Sequence, residues 1–165
     1  MENSDHKETD KIVLFSIEEL RYAIYLSAVL KVIRSVEIIP LPKAPEIVLG
    51  VINYHGDIIP VIDIRKLFHL PAREVNLKDH FIIAKTIKRL ITLVVDSVQG
   101  VSEIANYKVI DTTVNLPFAD YLSGITVFEN NIILINDLEK FLTLNEQQAI
   151  DKALKKISNE THPVK

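Results

Sequence analysis

Few side chains in this chain are placed to do chemistry. His55 and Asp57 fall in one short stretch, Tyr54-His55-Gly56-Asp57. An imidazole beside a carboxylate is the smallest arrangement that could move a proton near neutral pH. A histidine in a turn, however, is far more often a solvated loop residue. The other histidines, His6, His69, His80 and His162, show neither helical nor hairpin spacing for a metal. Asp63, Asp96 and Asp137 each follow an apolar run, which for Asp63 and Asp137 reads as helix capping rather than as a carboxylate pair. The four glycines are scattered singly, so there is no phosphate-cradling loop and no Gly-x-Ser-x-Gly elbow. There is no cysteine, which excludes thiolate nucleophiles, disulfides and Cys-based zinc sites. The expectation is a protein with no catalytic residue, no metal and no cofactor.

The elements that would carry such residues are mostly strands. The 165 residues are 48% hydrophobic, enough for one medium domain with a packed core. A net charge of −3 and a pI near 5.9 give no bulk attraction to nucleic acid or anionic lipid. Residues 1–10 are polar and read as a disordered tail, not a signal peptide. No apolar run approaches the ~18 residues of a membrane span. These features lean toward a cytoplasmic protein without membrane insertion.

The organising stretch runs from Leu41 to Asp63. Val51-Ile52 and Ile58-Ile59 flank a turn at His55-Gly56, a hairpin signal because Gly accepts positive φ. Ile58-Ile59-Pro60-Val61-Ile62 does not alternate, so the strand is expected to be buried on both faces. Pro60 cannot donate, which predicts an edge or bulge on one side. Upstream, Lys11 to Ile17 and Arg21 to Leu26 form a hairpin, and Ser27 is expected to cap a short helix through Val32. Val36 to Ile39 is extended, and Pro40, Pro42 and Pro45 stiffen a loop. Asp63 precedes a helical turn over Ile64 to Phe68.

His69 to Asp79 is a polar linker, the best internal boundary. Phe81 to Ala84 and Ile91 to Asp96 follow, then a bulge or bend at Gly100 before Val101 to Ala105. Asn106 to Ala119 is irregular. Tyr121 to Phe128 and Ile132 to Asn136 make another hairpin, and Asp137 precedes the turn Leu138 to Leu142. Asn145, with Gln148, is expected to cap a last helix over 145–157 whose apolar stripe is Ala149, Ile150, Ala153, Leu154 and Ile157. Lys152, Lys155 and Lys156 suit the negative end of its dipole, and 158–165 is a tail.

The two halves repeat one pattern. Asp63 lies thirteen positions after Gly50, and Asp137 thirteen after Gly124. Each interval holds an apolar run, a polar turn and an Ile-Ile pair; each Asp precedes an apolar helical turn. Ile12 to Leu26 likewise matches Phe81 to Val95. Two β units of this kind would bury their apolar faces against each other.

Leu41-Pro42, Pro45, Gly50-Val51-Ile52-Asn53, Gly56, Ile59-Pro60-Val61-Ile62-Asp63-Ile64-Arg65 and Phe68 together resemble the CheW family of bacterial chemotaxis adaptors. The resemblance extends from about Lys11 to Leu142, through Val94 to Val98, Tyr121 to Gly124 and Leu138 to Leu142. It implies a mainly β fold of two intertwined, SH3-like five-stranded barrels, over about 11–70 and 80–142, packed on a shared core with short helices and a C-terminal helix. It implies no chemistry, but the bridging of a chemoreceptor's cytoplasmic tip to the regulatory domain of a CheA-type histidine kinase. Carried onto this chain, the partner-binding positions are Val29, Lys31, Gly50, Asn53, His55 and Gly56, with Val98 at the corresponding cleft position of the second half.

The chain departs from the family pattern in three places. Asn53-Tyr54-His55-Gly56 stands where Asn-Leu-Arg-Gly is usual, Lys31 stands at an acidic position, and Phe68-His69 replaces Phe-Gly. Arg offers a permanent charge and a fork of donors; neutral His offers one donor. Changing an acid to a base nearby alters the charge pattern a partner must match. One alternative is therefore a specialised relative in a second chemosensory system, such as one governing motility, that binds only one partner. Another, from a different class, is a small-ligand barrel or enzyme with an enclosed pocket near His55 and Asp57.

Overall fold

A computed structural model describes residues 11–103 and 119–161. The sequence expectations for 1–10, for 104–118 and for 162–165 lie outside the described residues. Ten strands occur among the described residues: β1 (Lys11–Ile17), β2 (Leu20–Tyr25), β3 (Val29–Arg34), β4 (Val48–Tyr54), β5 (Asp57–Ile62), β6 (His80–Lys85), β7 (Leu90–Val95), β8 (Ser97–Glu103), β9 (Leu122–Phe128) and β10 (Asn131–Asn136). Two α-helices accompany them, α1 (Ile64–Leu67) and α2 (Leu144–Thr161), with short 3-10 turns at Leu26–Ala28, Ala119–Tyr121 and Leu138–Lys140.

The strands form two five-stranded sheets, in the orders β8-β1-β2-β10-β9 and β3-β6-β7-β5-β4. These are the same sheet written twice. If β1 and β2 correspond to β6 and β7, β3 to β8, and β4 and β5 to β9 and β10, one order becomes the other. Each half places its first hairpin in one sheet and its last three strands in the other. The sheets therefore do not divide at the 69–79 linker: each draws strands from both halves, joined by the parallel pairs β2–β10 and β5–β7.

The correspondence reaches single residues. The register slips between Val48 and Gly50 in the β4–β5 pair, and between Leu122 and Gly124, at the matching step, in the β9–β10 pair. Val29 pairs with Ala84 and Lys31 with Ile83; Val98 pairs with Phe15 and Gly100 with Leu14, so Leu30 and Gln99 are equivalent bulges. The Asp63 N–H donates to the Ile47 carbonyl at 2.7 Å, and the Asp137 N–H to the Tyr121 carbonyl at 2.9 Å.

Two of the three two-residue hairpins have the two positive-φ residues of a type I′ turn: His55 (51°) with Gly56 (92°), and Glu129 (50°) with Asn130 (64°). Strands alternate between two apolar layers. Val13, Phe15 and Ile17 of β1 join the central core; Ile12 and Leu14 join a separate cluster with Ala23, Ile133 and Ile135. Ile62 of β5 joins the central core, while Ile59 and Val61 pack with Ile52, Phe81 and Ile83. Strand β5 is thus buried on both faces from Ile59 onward. Through the centre runs an aromatic row, Phe15 on Tyr22 (centroids 5.7 Å), Tyr22 on Phe68 (5.3 Å) and Phe68 edge-on to Phe141 (5.9 Å).

Several expectations are corrected. Pro60 lies in an interior strand rather than at an edge, one step from the bulge between Val48 and Gly50 of β4. Its partner Val51 turns its own N–H and C=O away to Ile39, so Pro60 sits in a non-hydrogen-bonded pair, and pairing with β7 begins only at Val61. Ser27 is not the cap of a helix: the turn before β3 is a 3-10 turn with Tyr25 at its N-cap position and no side-chain capping bond among the described residues, and Val29, Val32 and Ile33 extend as a strand against β6. The last helix is capped by Thr143, not Asn145. Glu146 N–H donates to Thr143 Oγ1 (3.1 Å) and Thr143 N–H donates to Glu146 Oε1 (2.8 Å), a reciprocal capping box. Helix α2 continues past Ile157 to Thr161, the first breaker downstream being Pro163, so Lys152, Lys155 and Lys156 lie in its middle rather than in its last turn.

Candidate functional site

The β4–β5 tip is built by its turn chemistry. Asn53 Oδ1 accepts from the Gly56 N–H at 2.9 Å, and the His55 ring meets the Tyr54 ring edge-on at 4.3 Å. Asn53, His55, Gly56 and Asp57 are all exposed. Among the described residues, neither the His55 nor the Asp57 side chain has a hydrogen-bond or ion-pair partner, and no cluster of three His or acidic side chains could hold a metal ion. A depression of about 920 Å³ elsewhere on the surface is lined by neither residue. The tip is a rigid projection, not a pocket.

Gly50 plays a different part. It is buried, and a Cβ there would overlap the Ile39 carbonyl oxygen and stand 2.8 Å from Ile38 Cγ2. The approach exists because Ile39 and Val51 exchange two backbone hydrogen bonds of 2.8 Å, closing the sheet from the continuation of β3 onto β4. Val29 and Val98, at equivalent positions of β3 and β8, are half-buried and pack on the same central core. Lys31 is exposed on β3, the strand whose continuation meets β4. The structure therefore gathers Asn53, His55 and Gly56 on one tip, places Val29 and Val98 against one core, and puts Gly50 beneath a strap.

A cluster that sequence reasoning missed ties these parts together. Arg65 of α1 is buried, 8% exposed. It donates to Glu18 in the β1–β2 turn, to Asp96 after β7 (2.7 Å) and to the Pro71 carbonyl (3.2 Å). Arg73 of the linker donates to Asp96 (2.7 Å) and in a fork to Asp79 (2.8 and 3.1 Å), which is 3% exposed. Asp96 also accepts from the Glu18 N–H at 2.8 Å. Burial by itself would raise the Asp96 carboxyl, but the Glu18 N–H and the two arginines outweigh it and hold it below its usual value. The hydrogen bond to Asp79 raises the Arg73 guanidinium against a smaller opposing effect of burial. Two cations and three carboxylates thus pin the linker across the place where the sheets meet. An arginine inside the apolar turn Ile64-Arg65-Lys66-Leu67-Phe68 was the one available signal, because a buried arginine must be paired.

The CheW-like domain family model matches residues 11–146, which span both sheets and the start of α2. The chain belongs to the CheW-like domain family. Among relatives, the chemotaxis protein CheW of Thermotoga maritima is 30% identical over 80% of this chain and 87% of its own length. Protein FrzA of Myxococcus xanthus is 24% identical over 82% of this chain and 87% of its own. The crystal structure of the scaffolding protein TtCheW from Thermoanaerobacter tengcongensis superposes with a TM-score of 0.75 at 29% identity, covering 84% of this chain and 95% of that one. The double-sheet, mainly β architecture is thus that of a CheW-like domain. His55 and Lys31 are both exposed.

Proposed function

We propose that this chain is a non-enzymatic scaffold of a chemotaxis pathway, working in the cytoplasm to hold a chemoreceptor tip and the regulatory domain of a CheA-type kinase in fixed geometry. The observation that carries this reading is the match over nearly the whole of a solved scaffolding protein. The physics agrees with it. Two sheets locked by strand exchange and by the Arg65–Asp96–Arg73 pairs make a stiff body, and stiffness is what transmits a change in relative position. An exposed, preorganised tip costs little ordering entropy on docking. Asn53, His55 and Gly56 present the tip, Lys31 supplies a charge on β3, Val29 and Val98 flank the cleft, and Gly50 sets the tip's direction through its close packing.

A second reading is a paralogue that serves a separate chemosensory system and binds only one of the two partners. The changed charges at Lys31 and His55 favour it, as does similarity to a relative named FrzA rather than CheW.

The test is calorimetry against each partner separately: a receptor cytoplasmic hairpin and a kinase regulatory domain from the same genome. Binding to both supports the scaffold, binding to one supports the second reading, and binding to neither removes both. His55→Arg should tighten binding to a partner from a standard CheW system, by up to about 1 kcal/mol for an exposed charge; unchanged affinity would show that His55 does not set partner choice.

A further inference from the structure

A groove unrelated to the hairpin tip runs between the strap after β3 and the linker before β6. Its walls include Ser35, Val36 and Ile38 on one side and Val75, Leu77 and Lys78 on the other, and its volume is about 920 Å³. The walls are tied together. The Ser35 N–H donates to the Asp79 carbonyl (3.1 Å) and Ser35 Oγ donates to the Asn76 carbonyl (3.0 Å), so the groove is preformed. Its apolar side chains stand in water: Leu77 is 89% exposed and Val36 45%. Leaving these groups exposed side by side is unfavourable unless something covers them.

One end of the groove is basic. Leu77 and Lys78 also line a smaller notch of about 200 Å³, whose other walls are Arg34 and His80. Arg34 and His80 face each other as a cross-strand pair of β3 and β6. Among the described residues, the side chains of Arg34, Lys78 and His80 make no ion pair, and His80 Nδ1 is buried without a hydrogen-bond partner. The acidic side chain nearest in sequence, Asp79, is already taken by Arg73. Among the described residues the notch is lined by no carboxylate, while Glu37 lines only the wider groove.

We propose that this groove docks an apolar segment of a partner protein that carries a carboxylate at one end. The carboxylate enters the notch, accepting from the Arg34 fork and the Lys78 ammonium and giving His80 a partner; its aliphatic neighbours cover Leu77 and Val36. A second copy of this chain is a poor occupant, because a twofold contact centred on the notch would set like charges against each other. The groove shares no lining residue with Asn53, His55 or Gly56, so its occupant is a further contact, whichever partners the tip serves.

The test is selection from a displayed library of random dodecamer peptides on the intact protein, followed by titration of the synthesised consensus. The expected consensus has Asp or Glu beside two or more aliphatic residues. It should lose about tenfold or more in affinity to the Arg34→Glu/Lys78→Glu protein, and a version with Lys in place of its acid should bind that protein instead. Leu77→Ser should weaken binding without lowering the melting temperature, since Leu77 is on the surface. No enrichment, a consensus without an acid, or unchanged affinity to the charge-reversed protein would overturn the proposal. Self-association that Leu77→Ser abolishes would also overturn it, assigning the groove to a second copy.

Discussion

Replacing Gly50 by alanine tests whether the close approach of the strap closes the sheet. The added Cβ overlaps the Ile39 carbonyl oxygen and stands 3.0 Å from the Ile39 carbonyl carbon, both backbone atoms that cannot rotate away. Relief requires lifting the strap and breaking the two 2.8 Å bonds between Ile39 and Val51. Two such bonds are worth about 2 kcal/mol net, and residual overpacking adds about 1–3 kcal/mol. The expected loss is therefore about 3–5 kcal/mol, or about 2 M in urea midpoint for a slope near 2 kcal/mol per M. Gly56→Ala is the control. Its φ of 92° is also unfavourable for alanine, but nothing lies within 4 Å of the added atom, so only strain of about 1–2 kcal/mol is expected. Urea unfolding gives both values, and hydrogen exchange at the Ile39 and Val51 amides should accelerate in Gly50→Ala alone. A Gly50→Ala protein no less stable than Gly56→Ala, with both amides still protected, would refute the argument.

Two further outcomes concern pH. Asp96 is held below its unfolded value despite burial, so its contribution is complete above the usual carboxylate range near 4 and is lost as pH falls through its lower folded value; Asp96→Asn should cost about 2 kcal/mol at pH 7, by leaving Arg65 short of a partner, and should flatten the acid limb of stability measured by urea midpoints between pH 2.5 and 7, whereas an unchanged acid limb would show that other carboxylates govern it. Burial, offset in part by nearby Arg65, pushes the Tyr22 hydroxyl up to about 12, so native stability should hold to pH 10 and fall between 10 and 12 as the unfolded chain ionises first; because that hydroxyl is buried without a partner among the described residues, Tyr22→Phe should be neutral or stabilising by up to about 1 kcal/mol at pH 7 and should reduce the alkaline fall, leaving the part due to Tyr121, which burial also raises.

What the sequence disclosed followed the range of the interaction. Local chemistry was legible: His55-Gly56 marked a turn, Asp63 and Asp137 marked caps, and their side chains accept from the Lys66 and Glu139 N–H groups. The Thr143-x-x-Glu146 box was equally readable, though Asn145 drew attention away from it. Residues 29–32 read as helix because a capping-type serine precedes them, while the deciding partner, β6, lies some fifty positions downstream. Gly50 was singled out by type, but its reason, the Ile39 carbonyl against its α-carbon, belongs to a strap that no pattern announces. Least legible was the ion cluster, whose members Glu18, Arg65, Arg73, Asp79 and Asp96 come from four separate segments.

The duplication shows why that cluster sits where it does. Repeated spacing reveals that two halves are alike, yet like halves can pair within themselves or exchange strands, because equivalent strands offer equivalent partners. The choice of exchange rests on what breaks the symmetry. Glu18 belongs to the first hairpin, which crosses into the sheet built on β8 to β10; Arg65 ends the first half's own contribution to the other sheet. Asp96 sits where the second half crosses back, between β7 and β8. A hairpin that stayed with its own half would not meet this set of partners, and a buried Arg65 without Glu18 and Asp96 would be an unpaired charge. The cluster therefore favours the exchanged pairing over its alternative, and with it the stiff body on which the exposed tip and groove are displayed.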